Sequence, residues 1–212
     1  MRLAAAQVTG RLLAFVMRLL AAPRTIWLQG GPIARQRVYF ANHTSNADLP
    51  LIWTVLPPAL RARTRPVAAA DYWLKNGVRA FFGRDVFRGV LVDRRPEARA
   101  DGDDPMATIR VALDAGHSLI IFPEGRRNES RKKLLPFRAG LYNMALSHPS
   151  VEFVPVWIEN LNKVMPRGEV VPIPLICTVA FGEPMALVEG EDKDAFLARA
   201  RVALLDVRKK AG

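Results

Sequence analysis

A chain of 212 residues with one cysteine, Cys177, has no internal disulfide and no thiolate metal cluster, and a reducing compartment suits it. Cys177 sits in an apolar run whose small neighbours describe an inert core thiol rather than a nucleophile. Histidine is nearly as scarce: His43, His117 and His148 are the full set. None stands at a ligand spacing such as H-E-x-x-H, so a zinc site would have to draw carboxylates from scattered positions, and no metal is expected. His117 follows Gly116 and His148 precedes Pro149, and both read as helix-terminal residues. His43 is the one left to explain. The chain also lacks internal repeats, low-complexity tracts, a long Lys/Arg block, and any helix-turn-helix, zinc-finger or aromatic RNA-binding signature, so nucleic acid is not an expected partner.

Acidic residues are few, 20 against 31 Lys and Arg, and the formal charge of +11 calls for an anionic partner. With nucleic acid set aside, an anionic bilayer surface or a phosphorylated substrate remains. Half of the residues are hydrophobic, which excludes disorder and leaves apolar surface for lipid. The length suits one domain with a single core, hence one active site.

From Arg2 to Ala22 the chain reads as an apolar helix stopped by Pro23. Arg11 and Arg18 fall on one stripe with Gln7, while Leu12, Phe15, Val16, Leu19 and Leu20 face elsewhere. A charge near the centre of a spanning helix costs ~2.5 to 3.5 kcal/mol. The expectation is therefore an amphipathic helix over residues 1–24 that lies in a membrane interface, with a single domain over residues 25–212. Packing of this helix on the domain core is the alternative, and no cleavage site marks a signal peptide.

Beyond Gly31, strands are expected at Val38 to Ala41, Pro66 to Ala70, Gly89 to Asp93, Ser118 to Phe122, Phe153 to Ile158 and Leu175 to Phe181. Helices are expected from Pro50 to the Pro57-Pro58 pair, from Tyr72 to Phe82, Asp104 to Ala115, Gly140 to Ser147 and Lys193 to Lys210. Asp101 to Asp104 reads as an acidic loop that caps the following helix, and Pro166 to Pro174 as a connector. The alternation predicts an α/β fold: a mixed, largely parallel sheet flanked by helices, with ligands gathered at the strand ends.

Two clusters carry chemistry. Asn42-His43-Thr44-Ser45-Asn46-Ala47-Asp48 lies where a strand turns into a helix, and that turn can bring the Asp48 carboxylate onto one ring nitrogen of His43. The other nitrogen is then free to act as general base toward an alcohol, with the carboxylate stabilising the imidazolium that forms. Ser45 as nucleophile of a covalent route is a rival reading, although it lies outside any G-x-S-x-G elbow. The second cluster, Phe122-Pro123-Glu124-Gly125-Arg126-Arg127, ends another strand, and its glycine and two guanidiniums suit phosphate. Asp93-Arg94-Arg95 adds a further basic fork at a third strand end. A solvated basic rim is the bland account of both Arg pairs.

Together these residues resemble the glycerolipid acyltransferase family, over roughly residues 35 to 185. N-H-x-x-x-x-D is met by Asn42, His43 and Asp48; Gly89-Val90-Leu91-Val92-Asp93-Arg94 looks like the second block. Phe122-Pro123-Glu124-Gly125-Arg126-Arg127-Asn128 looks like the third, commonly F-P-E-G-T-R-S, and Val154-Pro155-Val156 like the fourth. The resemblance implies His43 as base and Asp48 as its orienting partner, with Asn42, Arg94, Glu124, Gly125, Arg126 and Arg127 around the acceptor. It implies transfer of a fatty acyl chain from acyl-CoA or acyl carrier protein to the free hydroxyl of a lysophospholipid, 1-acyl-glycerol-3-phosphate first among them, at the cytoplasmic face of a membrane, the protein being peripheral or monotopic. Neither metal nor redox cofactor is needed. Arg126 stands where the family usually has Thr and Asn128 where Ser is common, which adds a positive charge beside the acceptor. Another lysolipid acceptor, or a non-catalytic lipid-binding module, is the competing expectation. The basic run Arg131 to Lys133 suits an acidic carrier protein, the phosphates of CoA or lipid headgroups.

Overall fold

The computed structural model describes residues 1–29, 31–93, 104–161 and 177–212. Helix α1 (Arg2–Ala21) ends where Ala22 adopts a left-handed conformation and Pro23 blocks a further turn. Strand β1 (Arg24–Trp27) follows, then β2 (Arg37–Ala41), α2 (Asp48–Val55), α3 (Pro58–Arg63) and β3 (Thr64–Ala69). Two single-turn helices, α4 (Ala70–Trp73) and α5 (Gly77–Ala80), run into a π-helical turn (Phe81–Val86) and β4 (Val90–Val92). The remaining elements are α6 (Pro105–Asp114), β5 (Ser118–Ile121), α7 (Gly140–Ser147), β6 (Glu152–Glu159), β7 (Thr178–Phe181) and α8 (Lys193–Ala211).

The seven strands form one sheet in the order β1-β7-β6-β2-β5-β3-β4. Every pairing is parallel except that of β6 with β7. This is the mixed, largely parallel sheet that the alternation predicts. Strand β2 lies centrally and is buried along its whole length, as parallel strands covered on both faces must be. Its residues alternate: Tyr39 and Ala41 face a layer made by α1, α2 and the π-helical turn, while Val38 and Phe40 face a layer made by α6, α7 and α8. Cys177 is wholly buried in the first layer, where burial, and then the charge of Asp48, push its thiol up to about 11, as an inert core thiol requires.

Three elements depart from the sequence pattern. The helix expected from Tyr72 to Phe82 is broken, because Asn76 caps a new start by accepting from the Arg79 N–H at 2.9 Å, and the chain then widens so that Phe87 N–H reaches Phe82 C=O. Gly83 is the reason the π turn fits: a Cβ there would meet the Trp73 Cβ at 3.1 Å and its ring at 3.3 Å. Pro58, expected to close a helix, opens the next one at a position where its missing N–H costs nothing. Strand β1 has no alternating pattern of its own and exists because it pairs with β7. The expected strand residues 175–176, the connector from Pro166 to Pro174, residues 101–103 and Arg94 with Arg95 lie outside the described residues. Asp104 caps α6 as expected, accepting from the Met106 N–H at 2.9 Å.

Helix α1 meets the first layer through a stripe of small or narrow residues, Ala6, Gly10, Ala14, Met17 and Ala21. A Cβ on Gly10 would stand 3.2 Å from the Trp53 ring, so the close approach needs glycine. On the opposite side Val8, Leu12, Phe15, Val16 and Leu19 are exposed. The helix is long and apolar enough to cross a bilayer by length and composition, and little of it is buried.

Candidate active site

Strand β2 delivers Asn42 and His43 at its carboxyl end, and Asp48 begins α2. Asp48 closes the turn between them. Its Oδ2 accepts from the Thr44 N–H at 2.7 Å and the Ser45 N–H at 2.8 Å, and lies 2.8 Å from His43 Nδ1. Three donors converge on one carboxylate oxygen, and the start of α2 adds the positive end of its dipole. Asp48 is fully buried and the His43 side chain 20% exposed. With a carboxylate on Nδ1, the proton belongs there, and Nε2 is the ring nitrogen left for the cavity that His43 lines. Ser45 is buried and its Oγ accepts the Ala47 N–H at 3.2 Å, so it serves the turn and not a covalent route.

The end of β5 supports this histidine from the other side. The Phe122 ring stacks on the imidazole, with centroids 4.1 Å apart and planes 18° from parallel. Glu124, 3% exposed, accepts the His43 N–H on Oε1 at 3.0 Å and the Leu135 N–H on Oε2 at 2.8 Å. The Asn128 N–H reaches the His43 carbonyl at 2.7 Å. Burial pushes the Glu124 pKa up, against the pull of those two backbone donors. Glu124 therefore lies beneath the His43 backbone, where it fixes the loop; it is not among the residues lining the cavity. Asn42 has a similar place. Its amide donates to Ile158 C=O at 3.0 Å and accepts from Ile158 N–H at 2.8 Å, which ties the end of β2 to β6.

Arg126 and Arg127 do line the cavity with His43, and so does Gly125. Gly125 has φ +70°, and a Cβ there would collide with the Arg138 side chain. Arg138, which the sequence reading passed over, is a third cation on the same wall. A signal for it existed: a cation just before the start of α7 opposes that helix dipole, so local stability gives no reason for it. Glu129 stands 3.5 Å from Arg127 and offsets part of the charge. The cavity holds about 1510 Å³, and its other walls are apolar, with Leu49, Val67, Trp73, Ile109, Leu141 and Met144 among them. The arrangement offers a base and a phosphate-sized cationic rim beside room for a hydrocarbon chain.

A second constellation fails the same test. Ser147 Oγ lies 2.9 Å from His148 Nδ1, and His148 Nε2 lies 3.0 Å from Asp114 Oδ1. It sits where α6 and α7 end, at the amino-terminal edge of the sheet, and Ser147 Oγ also bonds the Asn143 and Met144 carbonyls. The helix ends that meet there present carbonyls, which accept hydrogen bonds and cannot serve as oxyanion donors. Among the described residues no three of His, Cys, Asp and Glu gather as metal ligands would.

The family model described as Acyltransferase matches residues 28–159. The chain is 28% identical over 194 residues to a 1-acyl-sn-glycerol-3-phosphate acyltransferase of Cocos nucifera, which covers 88% of this chain and 56% of that one. It is 31% identical over 159 residues to a protein named taffazin from Dictyostelium discoideum, which covers 68% of this chain and 52% of that one. The chain thus spans about half the length of these curated relatives. In fold it is similar to the crystal structure of the 1-acyl-sn-glycerophosphate acyltransferase PlsC from Thermotoga maritima. The TM-score is 0.68 at 21% identity, covering 99% of this chain and 82% of that one.

Proposed function

The chain belongs to the acyltransferase family, and from that premise we propose that it moves a fatty acyl chain from a thioester to the free hydroxyl of a lysophospholipid. 1-Acyl-glycerol-3-phosphate is the first acceptor in view, giving phosphatidic acid, and acyl-CoA or acyl carrier protein supplies the acyl group. One observation carries the reading: the 2.8 Å contact between His43 Nδ1 and the buried Asp48, in a cavity with three arginines. His43 Nε2 takes the proton of the acceptor hydroxyl as its oxygen attacks the thioester carbonyl. Asp48 keeps the ring in the tautomer this needs and stabilises the imidazolium. As the tetrahedral intermediate collapses, the C–S bond breaks and the leaving thiolate takes that proton from the His43 imidazolium, which returns the ring to its neutral form. Arg126, Arg127 and Arg138 hold the phosphate, since guanidinium forks match its oxygens. The apolar walls receive the chains.

The site works at a membrane surface, on the cytoplasmic side, with the outward apolar face of α1 in the interface. Transfer of labelled acyl groups from acyl-CoA and from acyl carrier protein to a panel of lysolipids in mixed micelles tests this. Preference for a phosphomonoester acceptor is expected; equal transfer to acceptors without phosphate would remove the arginines from the headgroup site, and no transfer with any pairing would sink the reading.

A further inference from the structure

At the C-terminal end of α2, two guanidiniums share one acceptor. Arg18 of α1 and Arg61 of α3 each donate to Thr54 C=O at 3.1 Å, and Arg61 also donates to Leu56 C=O at 3.0 Å. The two nitrogens therefore lie within about 6 Å of each other. Among the described residues neither arginine has a carboxylate at ion-pair distance, and Arg61 instead lies over the Trp53 ring, 4.8 Å from its centroid, a contact that offsets its charge only in part. Capping α2 accounts for the hydrogen bonds but leaves most of the charge, because a helix end supplies only about half an elementary charge. Burial, and then the neighbouring Arg18, lower the Arg61 pKa, as expected where two cations stand together with no carboxylate between them. Arg18, though not Arg61, also lines a cavity of about 450 Å³ with Ala22, Pro23, Thr25 and Val55, large enough for a small headgroup, and Arg61 stands behind it on the shared Thr54 carbonyl.

The surroundings indicate where the missing anion comes from. Arg18 and Arg11 are seven residues apart on one edge of α1, beside the exposed Val8, Leu12, Phe15 and Leu19. A helix bearing such a face lies with its apolar side in the acyl region and its flanking arginines at headgroup depth. We propose that Arg18 and Arg61 form a headgroup site for an anionic membrane phospholipid, outside the catalytic cavity, that fixes the depth and tilt of the protein on the bilayer. The proposal rests on the interfacial placement of α1 argued above and adds to it a defined contact with one class of lipid.

The test is binding of the full chain to vesicles of phosphatidylcholine alone and of phosphatidylcholine with phosphatidylglycerol. A cation near an anionic surface contributes about 1 kcal/mol, roughly fivefold in affinity. Arg18→Gln with Arg61→Gln should accordingly lose about thirtyfold of the preference for anionic vesicles and keep its binding to neutral ones. Lys209→Gln with Lys210→Gln removes the same charge from α8, on the other side of the sheet, and should cost less than about threefold. Equal losses in the two variants would mean net charge alone is at work and would overturn the site. Should the arginine variant fail to fold, phenylglyoxal modification of the wild-type chain gives the answer by mass spectrometry: Arg18 and Arg61 should be protected by phosphatidylglycerol vesicles and not by phosphatidylcholine. Equal protection by inorganic phosphate would make this a free-anion pocket and not a lipid site. Wild type that binds neutral vesicles with no anionic preference would remove this proposal alone, whereas no binding to either would remove the interfacial reading with it.

Discussion

Both carboxylate oxygens of Glu124 are occupied by backbone donors, one of them the His43 N–H. In Glu124→Gln one of those donors would face an amide NH2, and an unsatisfied buried donor costs ~1 to 3 kcal/mol. The expected result is a kcat lowered about tenfold with acceptor KM little changed, because the displaced group is the base and not the headgroup site. A raised KM at constant kcat would return Glu124 to the acceptor. His43 and Asp48 were legible in the sequence because their contact is local, five residues apart through one turn. The places of Glu124 and Asn42 were not: their partners Leu135 and Ile158 lie 11 and 116 residues away, and no short pattern reports which backbone groups a carboxylate or amide will meet.

Between elements, β2 and β6 are joined at one end by Glu152, which binds Arg37 and Arg35 at 2.9 Å each. Burial acts to raise the Glu152 pKa, but the hydrogen bonds and charges of the two arginines outweigh it and hold the carboxyl below its ordinary 4.5. A depressed acid stabilises the fold above its unfolded pKa and loses that contribution as pH falls through the folded value. Wild type should thus exceed Glu152→Gln in thermal midpoint at pH 7, with the gap narrowing below about pH 4.5. A constant gap from pH 7 to 3 would show that charge is not the link. Most strands and the long helices were readable from their periods, since α7 and α8 begin where their apolar spacing begins. The segment from Tyr72 to Phe82 was not, because its break depends on Asn76 capping a new turn and on Trp73 packing against Gly83.

For the whole molecule, α1 is built into the fold on one side and open on the other. Deleting it would expose core as well as remove any anchor, so the informative change is to its outer face. Leu12→Ser, Phe15→Ser and Leu19→Ser together leave the buried stripe intact and should weaken binding to neutral vesicles about a hundredfold, on roughly 1 kcal/mol for each partly inserted side chain. Unchanged binding would place another surface on the membrane. The helix is legible in sequence as apolar with flanking arginines, but the small residues that dock it look like ordinary helix formers until Trp53 is beside Gly10.

The most direct measurement is acyl transfer by wild type and His43→Ala at matched thermal stability. General-base removal predicts turnover lower by about 100- to 10,000-fold with folding unchanged, since His43 sits on a loop at a strand end and not within the sheet. Turnover within a few-fold of wild type would contradict the account.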